Sequence, residues 1–338
     1  MYKNILIVKL SAIGDVIHAL PVAHALKQNY PDARITWVVE KPAYDLLTNN
    51  PDIDEIIIFD KPKFKSLSGL LSNGYTFSKL LKSHHFDLAI DLQGLFKSAA
   101  ISYLSGASKR LVYCNARELS DKIGQRICGN HEHGHVVDRY LDVAAYLGCK
   151  MDHVEFPINI TEKEAQKAEA IANHAGLQLE NPYVTLCPGT NWPSKCWPTT
   201  HFANLADKLY EDNIIPVIIG GPTDQRLAEE IIANTKIPPI DLTGKTSLKQ
   251  LAYIIKKSQV FVGGDTGPMH LAVAVGMKVV AMFGSTDPKR NGPYGSNHKV
   301  LLVPVPCQGC WQRNCPKNID CLAKISVDEV YNVCSSLK

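Results

Sequence analysis

The residues best suited to chemistry in this 338-residue chain follow an apolar run in its C-terminal third. Residues 265–270 read Asp-Thr-Gly-Pro-Met-His, directly after the strand-like residues 259–264. Where a strand turns into a helix, free backbone N–H groups and the helix dipole point at one place, which suits a diphosphate. Pro268 fits the first helical turn, because its missing N–H costs nothing there. Asp265 and His270 would flank this anion site with groups that bind sugar hydroxyls, although an ordinary capped helix fits the same pattern.

A second loop of chemical interest lies near the N-terminus. Residues 9–15 (Lys-Leu-Ser-Ala-Ile-Gly-Asp) follow a predicted strand at residues 4–8 and precede a predicted helix. Open α/β sheets bind ligands at the carboxyl ends of their strands. Asp15 is therefore either the cap of the following helix or a catalytic base, and Lys9 is either a surface lysine with a buried stem or an anion contact.

Positive charge is concentrated in one part of the sequence. The net charge of +3 is too small to indicate nucleic-acid binding, whereas residues 61–126 contain eleven Lys or Arg against four Asp or Glu. This surplus predicts an anionic partner, with a solvated basic face as the alternative. No apolar run approaches the roughly 20 residues of a membrane-spanning helix. The N-terminus does not have the pattern of a signal peptide, so we expect a cytoplasmic protein.

Four of the ten cysteines cluster near the C-terminus, at Cys307, Cys310, Cys315 and Cys321. In a reducing compartment such spacing favours a metal over disulfides. A structural zinc site, an iron–sulfur cluster and simple thiols remain open, and none of them would carry transfer chemistry. The alternating histidines of residues 131–135 mimic a metal-binding tract, but thiols and acids at ligand spacing are missing beside them, so we expect no metal there.

Strand-like runs alternate with helix-like runs along the whole chain. Their spacing predicts parallel sheets with crossover helices, and two such series indicate two doubly wound domains. The division falls near residues 156–161, where Thr161 and Glu164 begin a new helix with a capping box. A chain of this length can form two cores. The predicted strands are residues 4–8, 34–39, 55–59, 87–91 and 110–113 in the first series and 183–187, 214–219, 240–242, 260–263 and 278–283 in the second.

Taken together, these segments resemble glycosyltransferase family 9, the ADP-heptose:lipopolysaccharide heptosyltransferases. The matching motifs occur in the family's order and span both halves of the chain. Residues 91–98 are more similar to the branch that adds the first heptose than to the branch that adds the second. The motifs are residues 8–15, 91–99, 115–118, 188–191, 195–198, 220–224 and 265–270.

The resemblance implies the α/β GT-B architecture, in which two doubly wound Rossmann-like domains face each other across a cleft. We accordingly predict an acceptor-binding domain at residues 1–160 and an ADP-sugar-binding domain at residues 161–325. Residues 326–338 are predicted to form a helix that packs toward the first domain.

The resemblance also implies inverting transfer of L-glycero-D-manno-heptose from ADP-heptose to the Kdo-lipid A inner core of lipopolysaccharide. The enzyme would make peripheral contact with the cytoplasmic face of the inner membrane. Asp15 is then the general base, while Lys195, the Thr266 hydroxyl and the Gly267 N–H stabilise the departing ADP. We expect that catalysis requires no cofactor, and that a zinc ion at the four clustered cysteines would be structural.

Family positions supply the remaining expectations. Asp224 would contact the ribose hydroxyls, although it is a shorter acid than the glutamate typical of that position. Thr246 borders the nucleotide with a changed residue type, and Lys63 and Lys65 are assigned only by the basic character of their loop. The predicted donor-site residues are Thr190, Asn191, Lys195, Asp224, Thr246, Asp265, Thr266, Gly267 and His270, and the predicted acceptor-site residues are Lys9, Ser11, Lys63, Lys65, Lys97 and Arg117.

Two rival functions remain open at the level of sequence. A family member that adds the second heptose, or another sugar to a different glycan, would share these motifs, because few contacts set sugar identity. A non-catalytic nucleotide-sugar-binding protein would have no use for a base at Asp15. A dehydrogenase is disfavoured, since the first loop does not contain Gly-x-Gly-x-x-Gly.

Overall fold

The structure is a computed structural model that describes residues 2–64, 66–303, 305–317 and 319–337. The chain divides into two compact units, Met1–Asn159 and Ile160–Lys338. This division lies one residue from the predicted start of the second domain. None of the described helices combines the length and the apolarity needed to cross a bilayer.

The first unit is built on a parallel sheet of six strands. Its strands are β1 (Asn4–Val8), β2 (Arg34–Val39), β3 (Glu55–Ile58), β4 (Leu88–Asp91), β5 (Lys109–Tyr113) and β6 (Gln125–Ile127). Its helices are α1 (Ile13–Asn29), α2 (Lys41–Leu47), α3 (Leu67–Lys82), α4 (Phe96–Leu104) and α5 (Val136–Tyr146), with short 3₁₀ turns at Lys61–Phe64 and Ser120–Lys122. The strand order is β3-β2-β1-β4-β5-β6.

The second unit repeats this plan. Its strands are β7 (Tyr183–Cys187), β8 (Ile215–Ile218), β9 (Ile240–Asp241), β10 (Val260–Gly264), β11 (Val279–Phe283) and β12 (Lys299–Leu302). Its helices are α6 (Glu162–His174), α7 (Thr199–Glu211), α8 (Gln225–Ala233), α9 (Leu248–Lys257), α10 (Gly267–Ala274), α11 (Pro288–Asn291) and α12 (Val327–Leu337). Three 3₁₀ turns lie at Pro193–Lys195, Pro222–Asp224 and Leu322–Lys324. The strand order is β12-β11-β10-β7-β8-β9.

Both sheets reverse their strand order at the centre. The reversal lies between β1 and β4 in the first unit and between β7 and β10 in the second. The loops that leave the carboxyl ends of such neighbouring strands diverge to opposite faces and open a crevice for a ligand. These two Rossmann-like sheets confirm the predicted α/β fold of the GT-B class. They bring the motifs at residues 8–15 and 91–99 to one switch point and those at residues 188–191 and 265–270 to the other.

Two edge strands were not predicted from the sequence. β6 and β12 have three and four residues. Their residues are mostly exposed or half-buried, so no continuous apolar run marks them, in contrast to the fully buried β4, β7, β10 and β11. Edge strands that cover little apolar surface give a weak sequence signal.

The C-terminal helix α12 belongs to the core of the second unit. Val330 and Cys334 are buried there beside Phe202 and Leu209 of α7. The described buried contacts of this helix are with α7, β10 and β11 of its own unit, and the predicted packing of residues 326–338 toward the first domain stays a prediction. The apolar side of the helix is used there, because it covers the face of the sheet next to α7.

Candidate functional site

A lysine, an aspartate and a histidine meet at the carboxyl edge of the second sheet. Lys195 Nζ donates to Asp265 Oδ2 at 2.7 Å, and His270 Nε2 lies 3.6 Å from Asp265 Oδ1. Burial alone would raise the pKa of Asp265, but the His270 hydrogen bond and the Lys195 charge outweigh it and lower the pKa to about 2. The cluster therefore holds a buried carboxylate between two nitrogen groups at one end of β10.

The close approach of two loops forms this cluster. A Cβ atom on Gly264 would lie 2.5 Å from the carbonyl oxygen of Lys195, so only glycine allows the Pro193–Lys195 turn to reach β10. The Lys195 ammonium also lies 4.5 Å from the centroid of the Trp192 ring, a cation–π contact that helps to orient it. Trp197 instead packs in the core of the second unit, where it is 2% exposed.

The N-terminus of α10 lies next to the same aspartate. Thr266 is the N-cap and Gly267 the first helical residue, and the Met269 and His270 N–H groups donate to the Thr266 carbonyl. Pro268 has no N–H, so the Gly267 N–H is the amide that this turn offers at the switch point. The Thr266 hydroxyl does not cap the helix. Pro268 lies in the first turn, as predicted. Lys195, Thr266 and Gly267 can therefore offer an ammonium, a hydroxyl and an amide to one anion.

Three further predicted donor residues lie in the loops that follow β7 and β8. The Thr190 hydroxyl donates to the carbonyl of Trp192 at 2.6 Å, so it stabilises its own turn, and Asn191 beside it is exposed. Asp224 Oδ2 accepts from the Gly221 N–H at 2.8 Å. The Asp224 carboxylate lies directly against Gly189, where there is no room for a Cβ atom. The loops of Thr190 and Asp224 are thus neighbours.

Thr246 lies in the next loop along the sheet edge. The Gly244 N–H donates to the carbonyl of Gly220 at 2.9 Å, which ties the β9–α9 loop to the β8–α8 loop. Gly244 has a left-handed backbone with φ of 71°. A Cβ atom added at Gly244 would lie 3.1 Å from the Cα atom of Pro222, so the two loops pack closely there. Thr246 itself is half-buried. The second unit therefore brings the predicted donor residues to one edge of its sheet.

Asp15 lies at the corresponding edge of the first sheet. It is the third residue of α1, and its Oδ2 accepts from the Ala12 N–H at 3.2 Å. The capping role that the sequence left open is therefore real. A carboxylate that caps through one oxygen keeps a second acceptor oxygen, and the Asp15 side chain is half-buried, so capping and base catalysis are compatible.

Gln93, which sequence reasoning did not assign, positions the loop that carries Asp15. Its Oε1 accepts from the Leu10 and Ser11 N–H groups, both at 3.1 Å. Ser11 is half-buried at this point. The signal was present in the sequence, since Gln93 follows β4 within a family motif at the switch point.

Asp91 in turn shapes the β4–α4 loop. Its carboxylate accepts from the N–H groups of Gln93 and Gly94 and from the Ser98 hydroxyl, each at 2.9 Å. Burial raises the pKa of Asp91 to about 6 in spite of these bonds. Gly94 has φ of 66°, and a Cβ atom there would lie 2.9 Å from the Tyr113 ring. The motif is thus a rigid support for the residues that follow it.

Lys9, predicted as an acceptor contact, is buried and paired within the first unit. It is 2% exposed, and its Nζ donates to the carbonyl of Leu92 at 3.0 Å and to the Tyr140 hydroxyl at 2.7 Å. Burial lowers the pKa of Lys9, and Asp15 is the foremost of the nearby carboxylates that oppose this change. The Lys9 side chain points into the interior from the end of β1, so its charge affects the loop that carries Asp15 without facing solvent.

Lys97 and Arg117 lie in the electrostatic surroundings of Lys9, as Asp15 does. Both contribute positive charge at Lys9, the residue that also feels the Asp15 carboxylate. Lys97 Nζ donates to Glu40 Oε1 at 2.8 Å, and the Arg117 N–H donates to the carbonyl of Gly94 at 2.8 Å. Glu40 was missed by sequence reasoning, although its place directly after β2 puts it at the same sheet edge.

Lys63 and Lys65 are the two remaining acceptor-site predictions. Lys63 belongs to the Lys61–Phe64 turn, and its ammonium pairs with Asp60 at 3.3 Å on the exposed surface. Lys65 lies outside the described residues. No contact among the described residues joins Lys63 to Asp15.

The structure does not show the zinc site predicted at the four clustered cysteines, which stays a prediction. Within residues 2–64, 66–303, 305–317 and 319–337, no three His, Cys, Asp or Glu side chains are arranged to hold one metal ion. Cys307, Cys310, Cys315 and Cys321 are free thiols that line a cavity of about 510 Å³ in the second unit. The loop that carries the first three of these cysteines folds over the end of β11, where the Trp311 N–H donates to the carbonyl of Ser285 at 2.7 Å.

Residues 75–319 match the family described as glycosyltransferase family 9 (heptosyltransferase). The chain belongs to this family. Its members transfer sugars, so the protein is a glycosyltransferase, and the resemblance stated from the motifs is confirmed.

The chain is similar to several characterised family members. It is 28% identical to the lipopolysaccharide core heptosyltransferase OpsX of Haemophilus influenzae, over 89% of this chain and 84% of that protein. It is 28% identical to lipopolysaccharide heptosyltransferase 1 of Pseudomonas aeruginosa, over 92% of this chain and 87% of that one. The fold is similar to that of Escherichia coli heptosyltransferase WaaC with ADP, with a TM-score of 0.79, 23% identity, and coverage of 99% of this chain and 100% of that chain.

Proposed function

We propose that this glycosyltransferase moves L-glycero-D-manno-heptose from ADP-heptose to the Kdo-lipid A inner core during lipopolysaccharide biosynthesis. The single observation that carries the proposal is the Lys195, Asp265 and His270 cluster beside the N-terminus of α10. It combines positive charge for a diphosphate with a buried carboxylate for sugar hydroxyls. The names of the similar proteins support the heptose and the lipopolysaccharide core.

The donor is assigned to the second unit. Lys195, the Thr266 hydroxyl and the Gly267 N–H bind the diphosphate, since an ammonium and a helix N-terminus both stabilise negative charge. Asp265 and His270 contact the heptose. Asn191 and Thr190 border the phosphates, while Asp224 and Thr246 border the ribose and the base along the sheet edge. A relative of similar fold was solved with ADP, which supports this choice of nucleotide.

The acceptor is assigned to the first unit. Lys97 and Arg117 bind the carboxylates or phosphates of the acceptor, and Asp15 lies in the same electrostatic neighbourhood. Ser11 contributes a hydroxyl at the Asp15 loop. The Lys97 ammonium is proposed to bind Glu40 and the acceptor at the same time, because it already donates to the Glu40 carboxylate.

The reaction is a single displacement in which Asp15 acts as general base. Asp15 takes the proton of the acceptor hydroxyl, whose oxygen forms a bond to the anomeric carbon. The bond between that carbon and the diphosphate oxygen breaks, and ADP leaves with the electron pair, so the anomeric centre inverts. Lys195 and the α10 N-terminus stabilise the charge that develops on the diphosphate. The cations already present serve the leaving group, so transfer is proposed to need no cofactor.

The step in core assembly is proposed to be addition of the first heptose. The Asp91 to Ser98 motif favours it, and one similar protein is a heptosyltransferase 1. Relatives named heptosyltransferase 2 and 3 are 26% and 27% identical, so addition of a later heptose is the specific alternative. The enzyme would work in the cytoplasm, in peripheral contact with the inner membrane.

The proposal is tested by incubating the purified protein with ADP-heptose and Kdo-lipid A without added divalent metal. We expect release of ADP and a lipid whose mass increases by one heptose. Parallel acceptors that already carry one heptose separate the first step from later ones. Failure to modify any heptose-free or heptose-bearing core acceptor would reject the assignment, and transfer only to the heptose-bearing acceptor would move the enzyme to a later step.

A further inference from the structure

The solvent-facing side of α4 in the first unit is apolar. Phe96 and Tyr103 are 60% and 62% exposed, and they lie on the same face because they are two helical turns apart. Ala100 lies between them and is half-buried. The inner side of the helix is already used, since Ser98, Ala99, Ile101 and Ser102 are buried. An outward helix face is normally polar, so two exposed aromatic rings on one face call for a partner.

A third large apolar side chain adjoins this face. Leu119 is 69% exposed and begins the Ser120–Lys122 turn, which contacts α4. The Phe96 N–H donates to Glu118 Oε2 at 3.1 Å, which ties the two segments together. Glu118 and Leu119 have consecutive left-handed backbones with φ of 53° and 62°. Leucine rarely adopts this conformation because it costs free energy. The protein therefore holds a strained backbone at the residue whose side chain faces solvent.

Positive charge surrounds these side chains. The Arg110 guanidinium carbon lies 5.7 Å from the centroid of the Tyr103 ring, and Arg117 and Lys122 are exposed on either side of Leu119. Residues 96–122 carry five Lys or Arg against two acids, Glu118 and Asp121. Exposed aromatic and aliphatic side chains ringed by cations are typical of surfaces that lie in the interface of an anionic bilayer.

We propose that Phe96, Tyr103 and Leu119 form a lipid-docking patch that seats the first unit on an anionic bilayer, with Arg110 and Lys122 on the lipid phosphates. The inference rests on the proposed function in one respect, namely that the acceptor is anchored in a membrane. The patch adjoins Lys97 and Arg117, which bind the anionic head of that acceptor in the proposed function. A bilayer must therefore lie close to this surface when the acceptor is bound, and the patch has the matching chemistry.

Vesicle binding of the full chain tests the patch without any turnover. The test variant is Phe96→Ser with Leu119→Asn, because asparagine tolerates the left-handed backbone and so removes the apolar group without adding strain. The matched control is Ile237→Asn, which removes an apolar side chain of 54% exposure from the second unit. The probes are vesicles of phosphatidylcholine alone and of phosphatidylcholine mixed with phosphatidylglycerol.

We expect the wild-type protein and Ile237→Asn to cosediment with the anionic vesicles, and the double variant to partition at least about tenfold less. Added salt should weaken wild-type binding, and vesicles without anionic lipid should bind little. The proposal is overturned if the wild type ignores anionic vesicles, or if the double variant binds them as the wild type does.

A kinetic comparison separates this inference from the proposed function. The double variant should keep wild-type kcat/KM on a water-soluble, deacylated Kdo acceptor, while its KM for the acylated acceptor in vesicles rises about tenfold. An equal loss on both acceptors would assign Phe96 and Leu119 to sugar binding and overturn the docking role. If no acceptor is glycosylated at all while vesicle binding responds as expected, the docking patch stands and the proposed function fails.

Discussion

Replacing Lys195 by methionine isolates the contribution of its ammonium to donor binding. Methionine keeps an unbranched stem of similar width but loses the charge that lies 2.7 Å from Asp265 Oδ2. If the ammonium also binds the diphosphate, the variant loses a charge-assisted hydrogen bond of about 1.5–3 kcal/mol, which corresponds to roughly ten- to 150-fold weaker ADP binding. Titration calorimetry with ADP measures this directly, and ADP carries no heptose to confuse the result.

The same substitution changes the pH dependence of stability. The folded-state pKa of Asp265 is lowered from 3.8 to about 2, so its carboxylate stabilises the second unit above the unfolded pKa and loses this effect as pH falls through the folded value. The full effect is about 2 kcal/mol. Lys195→Met should raise the Asp265 pKa and remove part of this stability at neutral pH. Urea unfolding at neutral and acid pH measures the difference.

A double variant, Lys195→Met with Asp265→Asn, is the control for the buried charge. It removes the uncompensated carboxylate and should recover much of the lost stability, whereas ADP binding should stay weak because the ammonium is still missing. Wild-type ADP affinity in Lys195→Met would refute a donor role for Lys195. Recovery of ADP affinity in the double variant would show that the lysine acts only by neutralising Asp265.

Two further predictions concern the first unit. Lys97→Ala and Arg117→Ala should each raise the acceptor KM about tenfold to a hundredfold and leave ADP affinity unchanged, with the exposed Lys79→Ala as control; a defect confined to ADP binding would contradict the acceptor assignment. Asp91 has its folded pKa raised from 3.8 to about 6, so its contribution to stability is fully present at low pH and declines by about 3 kcal/mol as pH rises through that window. Asp91→Asn should flatten this slope in urea unfolding, and an unchanged slope would assign the pH dependence to other groups.

The fold could be predicted to a large extent because its strongest signals are local. Strands such as β1 and β7 are continuous apolar runs, and their regular separation by helices determines a parallel arrangement. The edge strands β6 and β12 bury little surface and give no comparable pattern. The buried contacts of α12 could not be read from its amphipathic sequence either, since that pattern shows one apolar side without naming what covers it.

Motifs place Asp265 and Lys195 in the chain, and the structure brings the two side chains together, while their donor role stays a prediction. Tertiary contacts decided the rest. From the sequence, the Lys9 side chain at the end of β1 could reach the surface. In the structure, its ammonium instead donates to Leu92 and Tyr140 in the interior. Glu40 belongs to no chemical motif and enters the site only because β2 lies next to β1.

The cysteine cluster illustrates the limit of spacing arguments. The four thiols are suitably spaced for a metal, and they do line one cavity. Metal binding also requires three or four of them to converge at coordination distance, and sequence spacing does not determine this. Zinc binding at these four cysteines therefore stays a prediction.

Asp15→Asn tests the central claim of base-catalysed heptosyl transfer most directly. Asparagine keeps an oxygen that can accept from the Ala12 N–H, so the cap of α1 and the folded state should persist. The account predicts ADP-heptose binding within about twofold of wild type and turnover lower by at least about a hundredfold, the usual scale for a lost general base. Single-turnover transfer to Kdo-lipid A, with donor affinity measured in parallel, gives both values. A variant that retains more than half of the wild-type turnover would contradict the account.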